Sequence, residues 1–163
     1  MNFILMACSA TKRPESGPLT ALERYDGPMW QTLRALLDRH PTAAQALVSK
    51  DLVIWVLSGR YGFVPHDIEM PNYDKRMSPE ILAKMARDCS YDFQRIPAFV
   101  DDATEVLFAG GEMYRDAMWK ASGNNLLHLM KITETDGPGI GVHRAQMGAW
   151  FAKHYGAAES AAA

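Results

Sequence analysis

The chain has few cysteines, no marked excess of charge and no long apolar run. Cys8 and Cys89 are the only two cysteines in 163 residues. They stand too far apart for a CxxC metal pair, and two alone make no disulfide framework, so a reducing compartment is the simpler setting and a cytoplasmic location is expected. A formal net charge of -2 gives no general basic coat for nucleic acid, although local pairs such as Lys12-Arg13 and Lys75-Arg76 can still meet phosphates. No stretch approaches the roughly 20 apolar residues of a membrane span, so no membrane association is expected. The opening run Phe3 to Ala7 is too short for a secretory signal and has no basic segment before it. The five histidines show no zinc spacing, and neither a metal nor another cofactor is expected. The GxxxxGK[ST] pattern is absent, which leaves nucleoside triphosphate hydrolysis without support.

What the chain does have is 48% hydrophobic residues, enough for a core. One α/β domain over residues 1–156 is expected, with residues 157–163 a disordered Ala-rich tail. Four strand-length apolar runs stand out: Phe3 to Ala7, Leu52 to Leu57, Glu105 to Ala109 and Leu126 to Ile132. Near-continuous hydrophobicity in Leu52-Val53-Ile54-Trp55-Val56-Leu57 marks a strand covered on both faces. Helical patterns fill the gaps. Thr20 and Glu23 have capping-box spacing ahead of a stripe of Trp30, Leu33, Leu36 and Leu37, and Thr42 with Gln45 repeats the signature. Ser78-Pro79-Glu80 opens another helix, and Glu112 to Ser122 and Gly141 to Tyr155 end at glycines. The alternation predicts a three-layer α/β fold, a mostly parallel four-stranded sheet with helices on both faces.

In such sheets the loops leaving the strand C-termini line one edge, where ligands bind. The segment from Ser58 to Met77 reads as one long irregular loop, and long loops in compact domains are often functional. Its glycines Gly59 and Gly62 flank Arg60-Tyr61, and Asp67, Tyr73, Asp74 and Arg76 add acids, a stacking ring and an anion-pairing cation. Cys8-Ser9-Ala10-Thr11-Lys12 follows the first strand, where hydroxyls, backbone N–H groups and a lysine suit a phosphate or carboxylate. Cys8 is either a nucleophile or a small buried thiol. Gly110-Gly111-Glu112-Met113-Tyr114 sits at a strand-to-helix junction that favours an anion or simply close packing. Gly139, Gly141, His143 and Arg144 enter the last helix through a turn that approaches the G-x-G-x-x-G pattern, with Arg144 at the third glycine position. His143 is a candidate acid or base, or a cap.

Two functions of different kind follow, beside the plainer option of a small-molecule sensor or a structural subunit. In the first, Asp67 or Asp74 steadies oxocarbenium-like charge or activates water at an N-glycosidic bond, Tyr61 and Tyr73 stack a base, and Lys12, Arg60 and the glycine turns hold phosphate. In the second, the same loop binds nucleic acid without cleaving it. The partner expected in either case is a nucleotide, a nucleoside or nucleic acid.

The run Leu57-Ser58-Gly59-Arg60-Tyr61-Gly62, followed by Asp67, Pro71-Asn72-Tyr73 and Met77, resembles the signature of the YaaA-type peroxide-stress proteins, with Asn72 interrupting Pro-Tyr. Ser9-Ala10-Thr11-Lys12 is similar to that family's opening motif, and Gly110 to Tyr114 lies where it has a small-polar-acid-Tyr turn. Cys8, Ser9, Lys12, Ser58, Tyr61, Gly62, Tyr73 and Asp74 also resemble a set of short phage and bacterial relatives with a CS-x-x-K start and an LS-x-x-YG loop. The resemblance implies a connection to nucleotides or nucleic acid, through DNA binding in oxidative stress or through nucleic-acid modification.

Overall fold

The computed structural model describes residues 1–75, 77–88, 104–121 and 131–156. Arg76, Cys89, residues 126–130 of the fourth expected strand and the tail 157–163 lie outside the described residues. Strand β1 (Asn2–Ala7) buries four consecutive side chains, Phe3 to Met6. Such a run needs cover on both faces, and it has it. Ile4 and Met6 join a cluster with Leu33 and Trp30 of α2 (Pro28–Arg39) and Met147, Trp150 and Phe151 of α6 (Ile140–Tyr155). Phe3 and Leu5 join a second cluster with Leu82 of α4 (Pro79–Asp88) and Ala117 and Met118 of α5 (Glu112–Ala121).

The sheet has five strands where four are expected. β1 pairs in parallel with β3 (Leu52–Ser58) on one side and β6 (Glu105–Ala109) on the other, and β6 pairs in parallel with β7 (Lys131–Glu134). The additional strand, β4 (Gly62–Pro65), lies antiparallel against β3, giving the order β4-β3-β1-β6-β7. Its cause is local. Gly62 holds φ +72° at the end of the turn formed by residues 59–61, a conformation that costs a side-chain-bearing residue, so the chain folds back at once. Phe63 and Val64 are then buried, and Pro65 is tolerated because β4 is an edge strand. The run is four residues long and ends in proline, too little to register as a strand by its pattern. Further on, β5 (Glu69–Met70) pairs with β2 (Leu19–Thr20) in a small separate sheet. The stretch from Ser58 to Met77 is therefore a hairpin and a short strand rather than one irregular loop.

The capping box at Thr20 forms, with the Glu23 carboxylate accepting from the Thr20 N–H at 2.9 Å and the Thr20 hydroxyl at 2.8 Å. Yet α1 (Ala21–Arg24) lasts a single turn, because Tyr25 is already extended and Gly27-Pro28 starts α2 afresh. The Trp30–Leu37 stripe belongs to α2. Helix α3 (Pro41–Ser49) starts at its proline, and the Thr42 hydroxyl donates to the Tyr155 carbonyl at 3.2 Å instead of capping the helix. Among the described residues no helix is long and apolar enough to cross a membrane.

Candidate functional site

The four parallel strands end at one edge, and β1 has a parallel neighbour on each side there. Connections leave in opposite directions at that point, which opens a crevice beyond the strand ends. A cavity of about 350 Å³ occupies it, lined by Cys8, Ser9 and Ala10 after β1, Gly27 to Trp30 at the start of α2, Gly110, Gly111 and Tyr114 after β6, and Gly139, Ile140 and His143 at the start of α6. Two glycines make the walls possible. A Cβ on Gly110 would stand 2.7 Å from that of Ala7, and one on Gly27 would collide with the Ser9 hydroxyl. The indole of Trp30 donates to the Ala7 carbonyl at 3.0 Å and fixes α2 to the end of β1. Ser9 Oγ has no hydrogen-bond partner among the described residues.

Beside the cavity, on the β3 side, a chain of hydroxyls is ordered by its donors. Ser58 Oγ accepts the N–H groups of Arg60 at 3.3 Å and Tyr61 at 3.2 Å. Both lone pairs are then engaged, so its proton goes to the Tyr73 oxygen at 3.0 Å, and the Tyr73 proton to Tyr25 at 2.5 Å. Lys12 Nζ lies 4.3 Å from the centroid of the Tyr73 ring, and the Arg60 guanidinium carbon 5.7 Å from it. Tyr61 meets Tyr73 edge to face at 5.4 Å. Burial raises the hydroxyl pKa of Tyr73 and of Tyr25 and lowers that of the Lys12 ammonium, against a smaller upward pull from Cys8 and then Asp74.

Cys8 joins the two regions. Its Sγ is 3.8 Å from the Tyr114 hydroxyl. Burial pushes the thiol up, against the opposing pull of the Gly59 backbone, Tyr114 and Lys12. A thiol so held stays protonated near neutral pH and is a donor, not an activated nucleophile. The far wall is braced by Arg115, which donates to the Gly110 carbonyl at 2.7 Å and pairs with Asp136 at 2.8 Å. His143 Nε2 faces the Gly137 carbonyl at 3.1 Å and so carries a proton, leaving Nδ1 to accept from the Thr135 hydroxyl at 2.9 Å. Thr135 Oγ1 in turn accepts the Gly110 N–H at 3.1 Å. Both ring nitrogens thus hold the frame.

The hairpin separates the two candidate acids. Asp67 is exposed and lies beyond His66, whose N–H donates to Ile54 in the middle of β3, so β4 has carried it away from the edge. Asp74 is exposed too, but next to Tyr73 and close enough to Lys12 to act on its charge. Tyr61 is 38% exposed, whereas Tyr73 is buried, so Tyr61 alone of the pair offers a ring face to a ligand. Thr11 faces out, and its carbonyl accepts the Asp26 N–H at 2.9 Å. Glu112 lines a separate groove with Pro79 and Leu82. Gly141 and Arg144 face α2, where Arg144 donates to Thr32 at 2.7 Å, outside the cavity. The sequence pattern does not single out Tyr25, Trp30 or Thr135. Nor does it mark Arg24, a fully buried guanidinium that holds the carbonyls of Arg13, Glu15 and Gly17 and thereby shapes the segment carrying Lys12. The turn that carries it, Ala21-Leu22-Glu23-Arg24, holds two charges, and its pattern does not tell the buried Arg24 from the exposed Glu23. Among the described residues no three His, Cys, Asp or Glu side chains gather as a metal site requires.

Comparison with protein-family models, with curated proteins and with solved structures finds no match to this chain.

Proposed function

We propose that the chain is an enzyme acting on a nucleotide or a nucleic-acid base at the N-glycosidic bond. The observation that carries this reading is the meeting, at Cys8, of a cavity of ligand size with a cluster of cations, phenols and one carboxylate. Cleaving that bond requires a carboxylate near the sugar to steady developing positive charge or activate water, and a donor for the departing base. Asp74, beside Tyr73 and near Lys12, takes the first role in this reading. Protonated Cys8 and Tyr114, and the Ser9 hydroxyl, which has no partner among the described residues, are donors for the second. Lys12 and Arg60 hold phosphate, and Tyr61 stacks on the base or its neighbour.

Kinship with the YaaA-type proteins is part of the proposal. Its support is that Lys12, Ser58, Tyr61 and Asp74, all residues of the resembling motifs, surround Tyr73. A three-layer arrangement is supported by the two apolar clusters that divide the alternating residues of β1 between them. A cytoplasmic setting rests on the sparse cysteines.

The test is release of free base from nucleosides, nucleotides and DNA oligomers, followed by chromatography. Asp74→Asn is expected to slow release by about 10²–10⁴-fold, and Asp67→Asn to leave it unchanged. Absence of release from every substrate overturns the enzymatic reading. If oligomers then still bind, with an affinity that falls as salt rises, the chain is a non-catalytic nucleic-acid binder.

A further inference from the structure

The crevice at a strand-order reversal commonly takes the phosphates of a nucleotide. Here no side-chain cation serves that role. Among the described residues no Lys, Arg, Asp or Glu side chain lines the cavity. Arg115, the cation behind its wall, is already committed to the Gly110 carbonyl and to Asp136 and Glu134. Three helices start at the cavity: α5 carries the acid Glu112 in its first turn, which opposes an anion, while α2 and α6 have no acid there and offer backbone N–H groups alone. What the cavity does offer is apolar wall from Trp30 and Ile140, polar groups at Cys8, Ser9 and Tyr114, and the ring of His143, whose two nitrogens are engaged by Thr135 and Gly137. Two cations lie outside it, on the other side of Cys8, where Lys12 and Arg60 share the ring of Tyr73.

We infer that the substrate binds with its uncharged base in the cavity between β1 and β6 and its phosphate outside, at Lys12 and Arg60. This rests on the reading of the site as nucleotide-directed and adds an orientation and a ligand class: uncharged nucleosides are ligands in their own right, and the phosphate is an addition to them. The volume suits it, since about 350 Å³ lies at the small end of the roughly 300–1,000 Å³ of small-molecule sites. A base desolvated there meets donors and acceptors without leaving an ion buried, whereas a phosphate placed there would lose its water with helix-terminal N–H groups but no side-chain cation to replace it.

The experiment is calorimetric titration of the full chain with a panel of nucleosides, their 5′-monophosphates and sodium phosphate at low salt. At least one nucleoside is expected to bind, its monophosphate about tenfold more tightly, and inorganic phosphate is expected not to displace the nucleoside. Lys12→Ala is expected to remove the monophosphate's advantage while leaving nucleoside affinity within about twofold. Gly111→Leu, at a position with open space around its Cβ, fills the cavity and is expected to weaken both ligands together. The orientation is overturned, with the nucleotide-directed function intact, if monophosphates bind and inorganic phosphate competes with nucleosides. It is overturned likewise if Lys12→Ala weakens nucleoside and nucleotide equally. The phosphate competition needs no variant and so stands even where a substitution unfolds the chain. No binding by any of the panel overturns the orientation, while the enzymatic reading is then decided by base release from DNA oligomers.

Discussion

Ser58 shows how one side chain can organise a site without touching a ligand. Its oxygen accepts two turn N–H groups and directs its proton into the Tyr73–Tyr25 pair. Removing the hydroxyl leaves the half-buried N–H groups of Arg60 and Tyr61 without a partner and takes one from the buried Tyr73 hydroxyl, which is costlier than losing a solvent-exposed bond. Ser58→Ala is therefore expected to destabilise the fold by about 1–3 kcal/mol. Denaturant titration checks this, the midpoint falling at unchanged slope. Single residues also mark the limit of reading a pattern. Cys8, Lys12, Ser58 and Tyr73 stand out by type and position, and the fold gathers them. Tyr25 and Trp30 read as ordinary core aromatics, and only their contacts with Tyr73 and Ala7 tie them to the edge. Tyr73 reads as a stacking platform, but packing beneath Lys12 buries it.

At the scale of the element, the β3–β4 hairpin decides which residues belong to the site. The turn keeps Ser58, Gly59 and Arg60 at the edge, while β4 takes Asp67 back along the sheet. Asp67 and Asp74 are equivalent candidates on sequence, because a loop of unknown path puts no order on its acids. The path depends on Gly62, whose φ of +72° only glycine adopts without strain. Gly62→Ala is expected to cost about 1–2 kcal/mol. It is also expected to loosen Tyr61 against Tyr73, read as a gain of Tyr61 fluorescence mobility against a Tyr61→Phe control. An unchanged unfolding midpoint would show that the turn does not depend on glycine. Helix α1 teaches the same lesson. Its capping box was legible and forms, but Gly27-Pro28 ends the helix after one turn, freeing Tyr25 to leave the helical path and reach Tyr73.

For the whole molecule, the titrating groups that hold elements together point one way. Glu105, at the start of β6, is held below the usual carboxylate range by the Lys153 ammonium of α6 at 2.8 Å. Glu23 and Glu80 are lowered by hydrogen bonds from Thr20 and Ser78, and His154 is lowered by burial. All four folded values are depressed, so the unfolded chain binds protons first as the medium acidifies. The stability they contribute is complete above pH 6.5, the ordinary value for His154, begins to fall below it, and falls further below 4.5, the ordinary value for the glutamates. Denaturation midpoints are thus expected to drop from pH 7.5 to 5 and again to 4, and a midpoint that holds or rises would contradict the assignment. Hydrophobic runs, helix starts and alternation determined by themselves that the chain is α/β and that its β1, β3 and β6 strands are parallel and covered. Those features depend on neighbours in sequence, and burial on two faces leaves an unbroken apolar run that can be read directly. The fifth strand, the division of the acids and the separation of an uncharged cavity from its cations were decided by tertiary structure alone. Each depends on how distant segments meet at the sheet edge, and no local pattern carries that distance.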